Sequence, residues 1–402
     1  MEKRWLFRKV LWVFSVMAMA WLLESFLPAP AQAIPAFARK YNADCSMCHY
    51  PNVPRLNSLG HEFRRAGFRM PDEFNKDQDI SKVGDFLSVR GRARYDYRDR
   101  EGQAVTSEFQ WHDTTFFYAG ALSKNFSSFA ELEWEASDDI GLVASIGGVF
   151  GQPDHYSTFR LGQFHTLSRV GFGGFDRPTG ISTPLIRDAQ LTPVVEFTLG
   201  KDQRGLELTH VFKKSRLIAQ LLNGVDPNGS GTGGDTDTAK DYAIAFEHIC
   251  DELASGVSLI GYWGTWYDSP VVATRQRASF ARYAATGNKI FPNLLGGNFE
   301  VMGGYVRSQD RAPSSLGGNV QGNTFFVELE HYLEGPGFTV LGRYDFVDPD
   351  DNAANDRTEK WTVGYVRALQ NYLRLAVEGD ITQKDSNEAT DYRALGELMV
   401  NF

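Results

Sequence analysis

Three cysteines, Cys45, Cys48 and Cys250, are too few for a disulfide framework. The only long apolar run lies near the N-terminus, which excludes a bundle of membrane-crossing helices. Positive charge is scarce overall: the net charge is −9, which argues against nucleic acid as a partner. From about Phe86 onward no segment holds a helical period for long. There is no phosphate-binding loop, nucleophile elbow or zinc motif. What the chain does have is abundant aromatic residues and glycine, and long stretches in which apolar and polar residues alternate.

Residues 1–33 have the layout of a secretory signal. Lys3, Arg4, Arg8 and Lys9 form a basic start. Val10 to Leu23 is apolar except for Ser15, and Ala31-Gln32-Ala33 is a small-x-small cleavage site. An uncleaved anchor would need about 20 apolar residues, more than this stretch offers. The mature chain is expected to begin at Ile34 outside the cytoplasm.

Shortly after that point comes Cys45-Ser46-Met47-Cys48-His49. C-x-x-C-H is the attachment motif for c-type haem: the thiols add to the haem vinyl groups and the adjacent imidazole meets the iron. A redox-active C-x-x-C pair would normally accompany a βαβ pattern, which is absent. One covalent haem c is therefore expected on Cys45 and Cys48, with His49 as the proximal iron ligand. His61 and Met70 compete for the distal position, with an open or unforeseen site as the third alternative. His61 lies in a short helical stretch, Leu56 to Phe68, and Met70 sits on a turn between Gly67 and Pro71. A methionine ligand would raise the potential relative to histidine.

This N-terminal segment, 34–75, is too small to bury a haem by itself. Its charge suggests where the missing wall comes from. Residues 34–70 carry Arg39, Lys40, Arg55, Arg64, Arg65 and Arg69 against only Asp44 and Glu62, whereas residues 71–402 are strongly acidic. A basic plug in an acidic container is the simplest arrangement, with Arg55, Arg64, Arg65 and Arg69 expected to face Glu131, Glu133 and Glu135.

Residues 84–402 are expected to supply that container. Short stretches with period 2 recur, among them 86–97, 126–136, 156–164, 205–212, 241–248, 324–333, 338–346, 361–368 and 372–381. Glu131, Glu133 and Glu135 share one face of their stretch, with Phe129, Leu132 and Trp134 assigned to the other. Apolar faces outside and polar faces inside describe an all-β fold, a transmembrane antiparallel β-barrel of about 14–16 strands. A mean hydropathy of −0.32 suits it, because half of each strand faces water. Polar loops are expected at 223–241 and 345–355. The alternation Tyr392, Ala394, Gly396, Leu398, Val400, Phe402 runs to the last residue, like the terminal assembly signal of bacterial outer-membrane proteins. The alternative is a pair of soluble β-sandwiches. Asp348, Asp350, Asn352, Asp356 and Glu359 imitate a calcium loop, but Ala353 replaces the required glycine, so a solvated loop is expected. His112, His155, His165, His210, His248 and His331 are each expected to face the lumen as isolated polar groups.

The segment IPAFARKYNADCSMCHYPNVPRLNSLGHEFRRAGFRMP (34–71) resembles a family of fused monohaem cytochrome–porins of the bacterial outer membrane. The matching features are the AFARKY stretch before C-x-x-C-H, Pro-x-Leu-Asn-x-x-Gly-x-x-Phe at Pro54 to Phe63, and the pair Gly67-Phe68. The best-known members are iron oxidases of Fe(II)-oxidising bacteria. The resemblance implies a porin-like barrel, haem on Cys45, Cys48 and His49, and electron transfer across the outer membrane. Extracellular Fe(II) or another small donor would supply the electrons, and a periplasmic c-type cytochrome would take them. Two other functions fit the same residues: a solute porin whose haem segment gates or senses, and a conduit carrying electrons outward.

Overall fold

The computed structural model describes residues 36–50, 53–136, 140–166, 179–224, 238–269, 271, 273–334, 337–370, 372–385 and 389–401. The expected signal at 1–33 and most of the expected loop at 223–241 lie outside them. Sixteen strands dominate, at the upper end of the expected range. They are β1 Leu87–Arg100, β2 Thr106–Ala121, β3 Phe126–Glu135, β4 Ile140–Gln152, β5 His155–His165, β6 Asp202–Phe212, β7 Ser215–Leu222 and β8 Asp241–Ile249. The second half comprises β9 Gly256–Tyr267, β10 Arg277–Leu294, β11 Gly297–Arg311, β12 Val320–Leu333, β13 Phe338–Asp348, β14 Thr358–Gln370, β15 Leu373–Lys384 and β16 Ala389–Asn401. Every strand is antiparallel to its neighbours in sequence, and β1 pairs with β16 from Arg90↔Asn401 to Arg100↔Asp391, so the sheet closes into a barrel.

Period 2 decides what each face carries. Outward positions hold large apolar side chains in the open: Phe109 is 87% exposed, Leu161 59% and Leu259 57%. Such a continuous apolar exterior is far beyond what a water-exposed protein tolerates, and it is what a barrel in lipid requires. Among the described residues, no helix is long and apolar enough to cross a membrane. Inward positions hold buried charge, including Arg282, Glu328, Arg343, Asp345 and Glu378.

The histidines correct one expectation. His155, His210, His248 and His331 point outward, sharing the strand parity of Leu161, Leu208, Ile244 and Leu329. All four sit beside the short turns at one end of the barrel. Three have local partners: Ser157 for His210 (3.0 Å), Ser215 for His248 (2.8 Å) and the Leu294 carbonyl for His331 (3.2 Å). A polar ring is tolerated there because the exterior meets water at the rim. Of the six, His112 and His165 face the interior. Phe129 also corrects its assignment: it shares the inward face of Glu131 and lies against the cavity described below. In the acidic 345–355 stretch, β13 runs on to Asp348, and the loop begins only afterwards.

Two inserts occupy the lumen. From the long-loop end, a segment between β5 and β6, residues 179–200, folds inward with a single helical turn, Leu185–Asp188. Its Ile186, Leu191, Val195, Phe197 and Leu199 pack on inward residues of β7 to β12, including Ile218, Tyr262 and Phe280. Buried charges on the wall hold its backbone. Glu378 accepts from the Ile181 and Ser182 N–H groups, Asp345 from Leu185 N–H and Asp310 from Val195 N–H, while Arg374 donates to the Thr179 and Gly180 carbonyls. From the short-turn end, residues 36–86 form the second insert.

Candidate functional site

The N-terminal insert is built around two helices, α1 (Ala36–Tyr41) and α2 (Ser58–Arg65), and a 3-10 turn at Cys45–Met47. The turn is closed by Cys48 N–H to Cys45 O (3.1 Å) and His49 N–H to Cys45 O (2.9 Å). Side chains three apart eclipse in this geometry, which brings both thiols to one side.

Asn57 ties the turn to α2. Its carbonyl oxygen caps the helix by accepting from Gly60 N–H (3.0 Å), and its amide donates to the Ser46 and Met47 carbonyls (3.2 and 3.0 Å). An asparagine three residues before a helix interior is a start signal visible in sequence; its second role, bracing the cysteine turn, is not. Gly60 allows the close approach. A Cβ there would stand 2.1 Å from Cys48 O and 2.9 Å from a Leu56 methyl. Gly60→Ala is therefore expected to push α2 off the cysteine turn, destabilising the insert by about 1–3 kcal/mol. Limited proteolysis should then cut residues 45–65 faster while leaving the barrel intact.

Phe63 packs on Phe37 (4.8 Å) and Tyr41 (5.7 Å), and Phe68 stacks on Phe37 (5.6 Å) and on Phe129 of the wall (6.0 Å). The left-handed pair Gly67 (φ 63) and Phe68 (φ 62) turns the chain so that Met70 follows at the same cavity.

That cavity has a volume of about 700 Å³. Cys45, Cys48, His49 and Met70 all line it. Strands β1 to β7 and β15 to β16 line it, and Gly180, Ile181, Thr183 and Arg187 of the infolded segment border it as well. His61 is not among its lining residues. The imidazole of His61 is instead held well below its usual pKa by burial and by Arg64, Arg65, Arg216 and Arg55. Of His61 and Met70, only Met70 lines the cavity with the cysteines; Met47, His112, His165 and Met399 line it as well.

Both thiols are shifted upward by burial, Cys48 to about 11 with Cys45 as its second cause. A redox-active C-x-x-C pair needs a depressed thiol pKa, so this environment does not suit one. His49 has its Nδ1 2.9 Å from the Arg55 carbonyl. A carbonyl can only accept, so Nδ1 carries the proton and ligation would fall to Nε2. Among the described residues, no group of three His, Cys, Asp or Glu is arranged to hold a bare metal ion. Two thiols, one oriented imidazole and a thioether around a partly apolar cavity of ligand size do fit a covalently attached haem.

Arg55 and Arg65 face carboxylates other than the ones expected, and Arg69 faces backbone carbonyls. Arg55 meets Glu300 and Glu330 (3.1 Å to the latter), Arg65 meets Glu247 (3.0 Å), and Arg69 donates to the Ser123 and Phe126 carbonyls (2.8 and 2.7 Å). Glu133 pairs with Arg92 (3.1 Å) and Glu131 lies 3.7 Å from His165. Both line the cavity, as do Glu135 and Arg64. The wall carries its own arginines on β1: Arg90 and Arg92 take Asp113 of β2 and Glu133 of β3. The insert instead reaches to β8, β11 and β12.

No family model and no curated protein matches the chain. Its barrel is similar to solved porin structures at low identity. An anion-selective porin from Comamonas acidovorans aligns with a TM-score of 0.56 at 10% identity, over 79% of this chain and 99% of that one. OmpT, an outer membrane protein of Vibrio cholerae, aligns with a TM-score of 0.54 at 10% identity over 79% and 99%. OprB of Pseudomonas putida gives 0.53 at 10% over 79% and 93%. The fold is that of a porin.

Proposed function

We propose that this chain is an electron-transfer protein of the bacterial outer membrane, with one c-type haem held inside a porin-like barrel. The observation that carries the reading is the convergence of Cys45, Cys48, His49 and Met70 on one cavity. Cys45 and Cys48 would attach the group, and His49 and Met70, which line the same cavity, would offer ligands to its iron. When bound, haem supplies a one-electron couple. The protein's own residues fix the rest. The Arg55 carbonyl sets the His49 tautomer, a Met70 ligand raises the potential, and the aromatic residues Phe37, Phe63, Phe68 and Phe129 limit water. Extracellular Fe(II), or another small one-electron donor, is oxidised by one electron, which leaves to a periplasmic c-type cytochrome.

Placement inside the barrel makes physical sense. The apolar band of such a barrel is about 25 Å tall, and a redox centre tethered outside it would leave that whole span to cross. The porin fold alone would suit a solute channel. The two inserts across the lumen argue against that use.

The test has two parts. The mature protein from a host able to attach haem should carry the haem mass increment and keep peroxidase activity on a denaturing gel, and Cys48→Ala should disturb both. In liposomes, Fe(II) added to the long-loop side should reduce the haem, and His49→Ala should abolish reduction in a folded barrel. A mature wild-type mass without the increment would end the reading.

A further inference from the structure

The ring of His49 is oriented by a residue that is itself gripped by the barrel. Arg55 offers its carbonyl to His49 Nδ1 (2.9 Å) and to Tyr50 N–H (3.2 Å). Its guanidinium, in a residue only 7% exposed, donates through Nη2 to Glu300 of β11 and through Nη1 to Glu330 of β12 (3.1 Å). Met302 Sδ lies 3.7 Å from Nη1, and Asn288 of β10 holds the same Glu300 oxygen at 2.6 Å. Tyr50 adds an edge contact to Tyr332 of β12 at 5.7 Å. Neither Arg55, Glu300 nor Glu330 lines the cavity.

We propose that Glu300 and Glu330 of the barrel wall are positioning residues for the haem ligand, acting through Arg55 to fix the orientation of His49. The proposal rests on the reading of Cys45, Cys48 and His49 as a haem site.

Three physical points support it. First, burying two carboxylates and an arginine is costly, and an apolar contact would anchor an insert equally well. What the charged clamp adds is direction: a planar fork held at both nitrogens has one geometry. Second, the clamp and the carbonyl belong to the same residue, so a shift of the side chain is passed to the carbonyl through a single Cα. Third, the bond from ring N–H to carbonyl fixes the ring and strengthens the other nitrogen as a ligand, and loss of such outer partners commonly weakens ligation 10–100-fold. The barrel wall thus acts on the iron ligand without touching the cavity.

The experiment uses the full chain, purified with its haem, as wild type, Arg55→Lys and the double variant Glu300→Gln/Glu330→Gln. Arg55→Lys keeps the charge near the iron and loses the fork, so any change in it is geometric. Glu247→Gln removes a wall charge of the same sign that faces Arg65 instead, and it controls for electrostatics. Assembly of each variant is checked by unboiled gel mobility. The expected result has three parts. Covalent haem is retained in all variants. The low-spin EPR signal splits or broadens in Arg55→Lys and in the double variant, but not in Glu247→Gln. Nitric oxide, which forms a five-coordinate product only when the histidine leaves, displaces His49 at least about tenfold faster in both clamp variants. Retained haem with wild-type EPR and nitric oxide kinetics in Arg55→Lys would overturn the proposal and leave the haem reading standing; that variant decides alone if the double variant fails to assemble. Wild-type protein without covalent haem would overturn both together.

Discussion

In planar bilayers the intact chain is expected to conduct ions at least about tenfold less than the same chain emptied of its N-terminal insert. Sixteen-stranded barrels enclose a water-filled channel when nothing crosses them. Here the short-turn end is bridged at several points. Arg39 donates to the Gly84 and Leu87 carbonyls, Arg69 to the β2–β3 turn, Asn75 to Gly151 O, and Arg65 and Arg55 reach β8, β11 and β12. Deeper in, the infolded segment fills the side of β7 to β12 with apolar side chains. Removing the insert before folding would confuse closure with assembly. The exposed strap around Asp79 to Ser81 allows a protease site to be introduced there, so that the insert can be cut free from the folded barrel and washed out with salt and mild urea. Conductance should be low before cleavage and rise after the wash. An intact chain that conducts like an open porin would show that the insert does not close the lumen, and the solute-channel reading would gain.

The second large effect is expected from Arg343→Ala. Arg343 is buried between Glu328 (2.9 Å) and Asp345 (2.9 Å), and it donates to the Ser182 carbonyl (3.0 Å) and hydroxyl (2.7 Å) of the infolded segment. Truncation leaves two buried carboxylates without their shared cation, which costs about 3–5 kcal/mol for a broken buried pair. Asp345 would keep Leu185 N–H, but Glu328 would lose its cation. The expected result is a clear fall in the urea midpoint of the detergent-solubilised barrel and faster protease cutting between residues 179 and 188. A triple variant, Arg343→Met with Glu328→Gln and Asp345→Asn, should recover much of the midpoint, because no charge is then stranded. An unchanged midpoint in Arg343→Ala would mean that water reaches the cluster and that the segment is held by its apolar contacts alone.

Most of the barrel was legible because lipid outside and water inside impose opposite chemistry on alternate residues. β3, β12, β13 and β16 show this alternation cleanly in the sequence. β7 does not, and the structure gives the reason. In Ser-Arg-Leu-Ile-Ala-Gln-Leu-Leu, Leu217 and Leu221 are exposed, whereas Ile218 and Leu222 are buried against the infolded segment. Where a lumen is filled by protein, the polar face disappears and period 2 with it. At the site, the cysteine motif and Met70 were visible as local patterns. The arginine partners were not, because charge totals tell that a basic segment meets an acidic wall but not which strand it meets. That depends on pairings such as Arg92 with Asp113, which occupy the nearest acids first. His61 failed as a cavity residue for a similar reason: helix position alone does not say which way α2 is rolled.

The seam between β1 and β16 also sets an order of events. Its partners, from Arg90 with Asn401 onward, are separated by roughly 300 residues, against about 25 between the ends of a hairpin such as β12–β13, a difference worth about 2 kcal/mol of loop-closure entropy. Hairpins can therefore pair early and the seam last. The N-terminal insert leaves the synthesis machinery first, yet Glu247, Glu300 and Glu330 that receive its arginines belong to β8, β11 and β12. Until those strands exist, Arg55 and Arg65 have no carboxylates to meet. The interval between export of the insert and closure of the barrel is thus the stage at which the chain depends most on outside protection, and the stage at which its cysteine turn is most open to modification.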